Sequence, residues 1–161
     1  MRVGSGFDVH AFGPGDTIVL GGVRIPHNRG IIAHSDGDVL LHALVDALLG
    51  AAGLGDIGQH FPDSDPQWRG VDSGRFLAAT MQMLARRRWR VVNADLTLLA
   101  QTPRIATWRD EIRRSIALKL ALRESDVNLK ATTTEHLGFI GRAEGLAAMA
   151  TVLIDELSEA P

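Results

Sequence analysis

The chain has 161 residues, of which 45% are hydrophobic and 22% are charged, a composition typical of a globular domain. Its formal net charge of −2 does not indicate a nucleic-acid-binding protein, and the absence of cysteine excludes disulfide bonds and thiolate metal sites. The N-terminus lacks a signal-peptide pattern, and the longest apolar region is too short to span a bilayer. We therefore expect a cytoplasmic protein with no membrane partner, built as a single domain over residues 1–161.

The first half of the chain predicts a strand, a hairpin and a helix. MRVGSGFDV reads as the strand, and TIVLGGVRIP predicts a hairpin that turns at Gly21 and Gly22. SDGDVLLHALVDALLGAAG predicts the helix, with Ser35 or Asp36 as its N-cap and Gly53 at its end. The following stretch, rich in Gly, Pro and Asp, predicts a loop.

The second half alternates helices and strands. A helix is predicted over residues 73–87, a strand in RVVNADLTLLA, a helix in TWRDEIRRSIALKLAL, a strand in DVNLKAT and then a polar loop. The last segment, LAAMATVLIDEL, favours a helix by propensity but a strand by alternation. This order of elements indicates one α/β or α+β domain.

A metal site is one interpretation of two polar stretches. Asp8 and His10 lie two apart in the predicted first strand, so both side chains project from one face, and carboxylate plus imidazole suits zinc or a similar ion. Asp38, His42 and Asp46 are spaced by four and form one stripe of the first helix. The stripe is either the solvent face, or it brings His42 to Asp8 and His10 with an aspartate orienting one ligand.

Other residues suit phosphate. His34 and Ser35 precede a predicted helix, where free N–H groups favour anions. KATTTE places three threonines and Glu135 directly after a strand, and Glu135 could hold an oxygen-loving cation such as magnesium. Arg142 could add positive charge. Each of these features alone is also typical of an ordinary turn or surface.

Long stretches of the chain resemble one enzyme family. GSGFDVH, AHSDGDVLLHALVDALLGAAGLGDIG, FPDSDP, NADLTLLAQTPRI and NLKATTTEHLGFIGRAEG are similar to motifs of the 2-C-methyl-D-erythritol 2,4-cyclodiphosphate synthase family. The resemblance runs without a large gap from residue 2 to residue 157. It implies an α/β (α+β) sandwich of ferredoxin-like type, with a four-stranded mixed sheet, helices on one side and a small N-terminal hairpin. It also implies that the last segment is a strand.

The resemblance further implies a reaction and an assembly. The 2-phosphate of 4-diphosphocytidyl-2-C-methyl-D-erythritol 2-phosphate would attack the β-phosphorus of the same molecule and release CMP, which is phosphorus–oxygen lyase chemistry in the non-mevalonate isoprenoid pathway. The protein would be a homotrimer with active sites between subunits. Zinc or another divalent transition metal, and magnesium or manganese on the diphosphate, would be its cofactors.

The resemblance assigns roles to individual positions. Asp8, His10 and His42 match zinc ligands, and Glu135 matches a magnesium contact shared with the diphosphate. Positions that polarise or steady the reacting phosphates are His34 and Thr133. The positions matched to phosphate, ribose, erythritol and cytosine contacts, or to the trimer centre, are Ser35, Asp56, Ile57, Gly58, Phe61, Pro62, Asp63, Ser64, Asp65, Ala100, Gln101, Thr102, Pro103, Arg104, Ile105, Ala106, Thr132, Thr134, Phe139 and Arg142.

Two alternatives stay open on the residues alone. One is a non-catalytic, metal-stabilised trimer that binds an isoprenoid diphosphate around Phe139 and Arg142. The other is a zinc phosphohydrolase, in which the open metal position activates water. A hydrolase does not need a nucleotide pocket at residues 100–106, and a structural trimer does not need Asp56.

Overall fold

A computed structural model describes residues 1–157, so the last four residues of the predicted domain lie outside the described part. The elements are β1 (Arg2–Gly13), β2 (Thr17–Leu20), β3 (Val23–Pro26), β4 (Gly30–Ile32), α1 (Val39–Ala52), α2 (Ile57–His60), α3 (Gly74–Arg86), β5 (Trp89–Leu99), α4 (Arg109–Leu120), β6 (Val127–Thr132), α5 (Gly138–Gly141) and β7 (Gly145–Glu156). Over residues 1–157, every helix is too short or too polar to cross a membrane.

The main sheet is mixed and has the strand order β4-β1-β7-β5-β6. β1 pairs antiparallel with β4 and β7, β7 pairs antiparallel with β5, and β5 pairs parallel with β6. The predicted fold class is confirmed, with one strand more than the four expected. β4 escaped prediction because three residues are too few to show an alternating pattern.

The helices cover one face of this sheet. α1 packs against β1 and β7, α3 against α1 and β5, and α4 against β6. In β7 the alternate residues Leu146, Ala148, Ala150, Val152 and Ile154 are all buried. The strand predicted for this segment is therefore correct, because burial of alternate side chains under α1 outweighs the helix propensity of its alanines.

α1 is almost entirely buried and begins later than predicted. Asp38, and neither Ser35 nor Asp36, caps it: the Asp38 side chain accepts a hydrogen bond from the Leu41 N–H. Gly37, at φ +71°, turns the chain just before the cap. Gly53 ends the helix in the left-handed conformation, as predicted.

The predicted hairpin forms a separate two-stranded sheet of β2 and β3. Gly21 and Gly22 make its turn at φ +61° and +82°, values that favour glycine. Both glycine N–H groups donate to the carboxylate of Asp38, at 2.9 and 2.6 Å. The residue that caps α1 thus also fastens the hairpin to it.

Most of the remaining elements agree with the sequence to within a few residues, but the stretch predicted as a loop after α1 contains one helical turn, α2. α3, β5, α4 and β6 occupy the predicted stretches. The region predicted as a polar loop after β6 contains one helical turn, α5, whose Ile140 is buried. Four residues with two apolar side chains, Phe139 and Ile140, between glycines are too few to show a helical period.

Candidate functional site

Strand β1 presents two site residues toward the helices. Asp8 and His10 lie opposite Ala148 and Leu146 of β7, on the face that α1 covers. Their neighbour Val9 points to the other face and is exposed. The alternation of a strand therefore places the carboxylate and the imidazole side by side.

His42 reaches the same place from α1. Its Nδ1 lies 2.9 Å from His10 Nε2 and 3.1 Å from Asp8 Oδ2, and His10 Nε2 lies 3.0 Å from Asp8 Oδ2. The solvent-face interpretation of the Asp38, His42 and Asp46 stripe is wrong, because Asp38 and His42 are buried. The structure instead brings His42 to the strand pair.

These three side chains form a candidate metal centre, with all three ligand atoms within 4.8 Å of one another. Two imidazole nitrogens and one carboxylate oxygen suit zinc, and tetrahedral zinc bonds of ~2.0 Å would separate neighbouring ligand atoms by about 3.3 Å. The observed separations of 2.9 to 3.1 Å are close to that value. Three protein ligands leave one position open for another molecule.

The carboxyl group of Asp8 is held in its charged form. Partial burial alone would raise its pKa, but the hydrogen bond from His10 and charge interactions with both imidazoles outweigh burial and hold the pKa well below the usual range. A carboxylate that is ionised at all physiological pH values is ready to accept a cation.

The rest of the aspartate stripe does not orient His42, which corrects the prediction. Asp38 accepts from Gly21, Gly22 and Leu41, and Asp46 accepts from the Ile57 N–H at 2.7 Å. Asp46 thereby ties α2 to α1, and burial raises its pKa.

The far side of the His42 ring contacts two serines. His42 Nε2 lies 2.8 Å from Ser73 Oγ and 3.1 Å from Ser35 Oγ, and the Ser73 hydroxyl donates to Asp36. A continuous series of hydrogen-bond contacts therefore runs from Asp36 through Ser73 to His42. Sequence reasoning missed this contact because Ser73 is 31 residues from His42 and no local spacing relates the two.

A cavity of about 440 Å³ opens over the metal centre. Besides Asp8, His10 and His42, it brings together predicted site residues from β4 onward: His34, Ser35, Ile57, Gly58, Phe61, Pro62 and Asp63. Trp68 and Phe76, which sequence reasoning did not single out, close one wall with edge-to-face rings 5.5 Å apart. Their role depends on aromatic contacts in the folded chain, which the sequence pattern does not reveal.

Three predicted residues lie near this cavity but do not line it. Ser64 lines an adjoining hollow that also contains His34 and Asp63. Asp56 caps α2 by accepting from the Gln59 N–H at 3.0 Å, and Asp65 accepts from the Gln67 N–H at 3.1 Å. In this conformation both carboxylates hold local turns.

A second cavity, of about 230 Å³, lies at the end of β5 and β6. It contains most of the predicted nucleotide segment together with two threonines: Ala100, Gln101, Pro103, Arg104, Ile105, Ala106, Thr132 and Thr133. Thr102 points elsewhere, with its Oγ1 3.3 Å from His27 Nε2. In the described chain the two cavities share no lining residue.

The last group of predicted residues follows β6 on the surface. Thr133 donates to Glu135 Oε1 at 3.0 Å, and Thr134 donates to the Leu137 carbonyl at 2.6 Å. Arg142 is paired with Glu144 at 2.8 Å, and Phe139 is 40% exposed. Within residues 1–157 the predicted site residues thus form two separate groups, one around the metal centre and one around β6.

Comparisons with known proteins agree with this arrangement. The profile of the YgbB family matches residues 1–155. A 2-C-methyl-D-erythritol 2,4-cyclodiphosphate synthase from Xylella fastidiosa is 56% identical over 98% of this chain and 90% of its own. IspF from Plasmodium falciparum, solved as a CDP complex, is 34% identical with a TM-score of 0.86 over 98% of this chain and 97% of that one.

A third relative is larger than this chain. The bifunctional IspDF of Campylobacter jejuni superposes with a TM-score of 0.94 and 43% identity over 98% of this chain, which spans 42% of that protein. Similarity in sequence and in structure therefore extends over nearly the whole chain. The chain belongs to the YgbB family, that of the 2-C-methyl-D-erythritol 2,4-cyclodiphosphate synthases.

Proposed function

We propose that this chain converts 4-diphosphocytidyl-2-C-methyl-D-erythritol 2-phosphate to 2-C-methyl-D-erythritol 2,4-cyclodiphosphate and CMP. An oxygen of the 2-phosphate bonds to the β-phosphorus, and the bond from that phosphorus to the bridging oxygen breaks, so the oxygen leaves with CMP. No water is consumed, which makes the reaction that of a phosphorus–oxygen lyase in non-mevalonate isoprenoid synthesis. The observation that carries the proposal is the convergence of Asp8, His10 and His42 at one cavity, in a chain that belongs to the synthase family.

The chemistry requires positioning more than proton transfer, because nucleophile and leaving group are both phosphate oxygens. In favourable intramolecular reactions, positioning supplies roughly 7–11 kcal/mol. Asp8, His10 and His42 would hold zinc or a similar ion, which when bound offsets phosphate charge. His34 and Ser35, on the rim of the same cavity, would donate hydrogen bonds to the phosphates and steady them for attack.

The second cavity would take the cytidine. Residues 100–106 surround a space of about 230 Å³ beside Thr132 and Thr133, whose hydroxyls would contact phosphate. Glu135, hydrogen-bonded to Thr133, would share magnesium or manganese with the diphosphate, since one carboxylate plus phosphate oxygens is a common magnesium arrangement. The CDP complex of the Plasmodium falciparum relative supports a cytidine nucleotide as ligand.

We propose a homotrimer whose active sites lie between subunits. The two groups of predicted residues line separate cavities of one chain, so a neighbouring subunit would have to bring them together. The uncovered face of the sheet exposes Phe7 and Met149, 57% and 50% accessible. Such apolar exposure favours association. A cytoplasmic location stays a prediction.

The comparisons give no support to the alternatives of a zinc phosphohydrolase or a non-catalytic isoprenoid-diphosphate binder. The two reactions differ in their phosphorus products, and the non-catalytic binder gives none. Metal-loaded protein incubated with the substrate in ¹⁸O-labelled water, and followed by phosphorus NMR, should give CMP and an unlabelled cyclic diphosphate. Linear products that carry ¹⁸O would establish the hydrolase, and the absence of turnover by metal-loaded protein would leave the binding module.

A further inference from the structure

The two ring nitrogens of His42 face different surroundings. Nδ1 points at Asp8 Oδ2 and His10 Nε2, at 3.1 and 2.9 Å. Nε2 points away from the metal centre, at the Ser73 hydroxyl 2.8 Å away. A neutral imidazole carries its proton on only one nitrogen, so the proton on His42 decides whether Nδ1 offers a lone pair to a cation.

Ser73 connects the carboxylate of Asp36 to the His42 ring through hydrogen bonds. Its hydroxyl donates to Asp36 Oδ1, and its backbone N–H donates to Asp36 Oδ2 at 3.1 Å. An ionised carboxylate only accepts, so the single hydroxyl proton of Ser73 is committed to Asp36. The serine oxygen is then free to accept a proton from His42 Nε2.

The direction of the hydrogen bonds from His42 through Ser73 to Asp36 fixes the tautomer of His42. With Nε2–H donating to Ser73, Nδ1 keeps its lone pair toward Asp8 and His10. The carboxylate of Asp8 has another donor close by, since His10 Nε2 lies 3.0 Å from it, so it does not need the proton of His42. Ser73 is fully buried, and a hydrogen bond shielded from water is stronger than an exposed one.

We propose that Asp36 and Ser73 are positioning residues that hold His42 in the Nε2–H form and so prepare Nδ1 to bind the metal. The inference rests on the proposed metal site at Asp8, His10 and His42. Carboxylate-backed partners of metal-bound histidines raise ligand basicity, and their loss typically costs 10–100-fold in metal affinity. Here the carboxylate acts through a serine hydroxyl instead of contacting the ring.

Two substitutions separate this role from packing. Ser73→Ala removes the acceptor and leaves only Ser35 Oγ, at 3.1 Å, to receive the Nε2 proton. Asp36→Asn keeps the shape of Asp36. Backbone N–H groups donate to both oxygens of Asp36, from Ser73 to Oδ2 at 3.1 Å and from Asp38 to Oδ1 at 3.3 Å. Because the Ser73 contact is the shorter, the amide oxygen should stay at the Oδ2 position. The amide NH₂ should then donate to the Ser73 hydroxyl and reverse the direction of the hydrogen bonds.

A matched control is available in α3, which begins directly after Ser73. Thr80 lies in α3, is fully buried, and its hydroxyl has no hydrogen-bond partner in the described chain. Thr80→Ala therefore removes a buried hydroxyl without touching His42. Thermal unfolding of all variants reports any general loss of structure.

The test has two readouts. In metal-free protein, two-bond ¹H–¹⁵N correlation spectra at about pH 8, where imidazole is ordinarily neutral, should show the Nε2–H tautomer of His42 in the parent and Thr80→Ala. Asp36→Asn should shift it toward Nδ1–H. Competition with a chelator should show roughly 10–100-fold weaker zinc binding for Ser73→Ala and Asp36→Asn, and parent-like binding for Thr80→Ala.

Either of two results would overturn the inference: an Nδ1–H tautomer of His42 in the parent protein, or zinc affinities of Ser73→Ala and Asp36→Asn within twofold of the parent. A similar loss of zinc affinity in Thr80→Ala would show that altered packing, and not the hydrogen bonds to His42, causes the loss in the test variants. If the parent itself bound no zinc, the metal site would fail, while the tautomer spectra would still decide the hydrogen-bond chain.

Discussion

Individual side chains at the metal centre combine charge and directed hydrogen bonds. Asp8 is kept ionised by His10 and His42, and His42 in turn contacts Ser73 on its other side. A cation at the centre would replace the hydrogen bonds among these side chains by metal–ligand bonds. The three side chains should therefore bind metal as a unit, and the loss of one should be felt by all.

Replacing His42 by alanine tests that unit directly. His42→Ala removes one of three ligands, so zinc content and cyclising activity should fall together, with the activity falling by 100-fold or more, on the order of the electrostatic contribution of a lost catalytic group. Metal analysis of purified protein alongside the activity assay provides the measurement. His27→Ala, which removes an imidazole outside the centre, serves as the control, and normal zinc stoichiometry in His42→Ala would contradict the ligand assignment.

Asp38 predicts a pH effect on stability. Complete burial, reinforced by repulsion from Asp36, raises its pKa to about 6 against hydrogen bonds that lower it, whereas the ordinary value is 3.8. Between these values the folded state binds more protons than the unfolded state, so this residue's contribution to stability is full below pH 3.8 and falls as pH rises toward 6. The loss is on the order of 3 kcal/mol.

Urea unfolding of the parent and of Asp38→Asn measures this contribution. The variant keeps the shape of Asp38 but cannot titrate, so the difference in unfolding free energy between the two proteins isolates the carboxyl group. The unfolding free energy of the parent, relative to that of Asp38→Asn, should fall from about pH 4 to pH 6 and then stay constant. Parallel curves over this range would show that Asp38 does not titrate there.

The sequence predicted which side chains form the metal centre better than it predicted which residues orient them. Alternation placed Asp8 and His10 on one face, and the spacing of four singled out His42. The same spacing wrongly made Asp38 and Asp46 candidates for orienting His42. What decides an orienting partner is a contact across tens of residues, as between His42 and Ser73, and periodicity carries no information about it.

Among the elements, β1 and α1 depend on an unusually close approach. A Cβ at Gly6 would lie 2.0 Å from the Ala43 carbonyl oxygen, and one at Gly4 would lie 2.0 Å from the Ala47 carbonyl oxygen. Both obstacles are backbone atoms, which cannot rotate aside. The glycines therefore let the helix that carries His42 lie directly on the strand that carries its partners.

Gly6→Ala should consequently destabilise the protein strongly, by about 3 kcal/mol or more, at the upper end of overpacking costs. Gly50→Ala is the matched control: Gly50 lies inside α1 with nothing within 4 Å of the added Cβ, so alanine should stabilise by ~0.5–1 kcal/mol. Urea unfolding of both variants measures the contrast. A Gly6→Ala protein as stable as the parent would mean that helix and strand can separate at no cost.

Element types were largely predictable, whereas their exact limits depend on tertiary contacts. The Gly21–Gly22 turn and the Gly53 helix end follow from conformations that glycine alone adopts easily. The start of α1 was not predictable from the sequence. Asp38 caps the helix instead of Ser35 or Asp36 because its carboxylate also binds the hairpin. The last strand required the family resemblance, since its alanines favour a helix.

For the molecule as a whole, the sheet has one covered and one open face. Phe7 of β1 lies opposite Met149 of β7, and both are on the open face with Val3 and Val9. A sheet with helices on one side only leaves such residues in water unless another subunit covers them. The uncovered face is where we expect the trimer contact.

Phe7→Asp should weaken this assembly. A charge buried in an apolar interface without a partner costs several kcal/mol, so light scattering at assay concentration should show a trimer for the parent and smaller species for the variant. Leu118→Asp is the control, because Leu118 is 81% exposed on α4, on the helical side, and should leave the mass unchanged. A parent protein that is monomeric at these concentrations would count against shared sites.

Mixing two inactive variants tests the sharing itself. His42→Ala damages the metal group and Thr133→Ala the β6 group, so each alone should lose activity. In mixed trimers with head-to-tail contacts, about one quarter of the sites at equal mixing would combine an intact metal group with an intact β6 group. Activity should therefore return on co-refolding, and its failure to return would place both groups of each site in one chain.

The position of the metal ligands at the β1–α1 contact has a thermodynamic consequence. Asp8 and His42 are 34 residues apart, so a cation that binds both would bind only chains in which strand and helix are docked. By mass action, zinc at a hundred times its dissociation constant would add about 2.7 kcal/mol to the free energy of unfolding. Metal supply would then set the folded population of this protein as well as its activity, and a chelator would act as a mild denaturant.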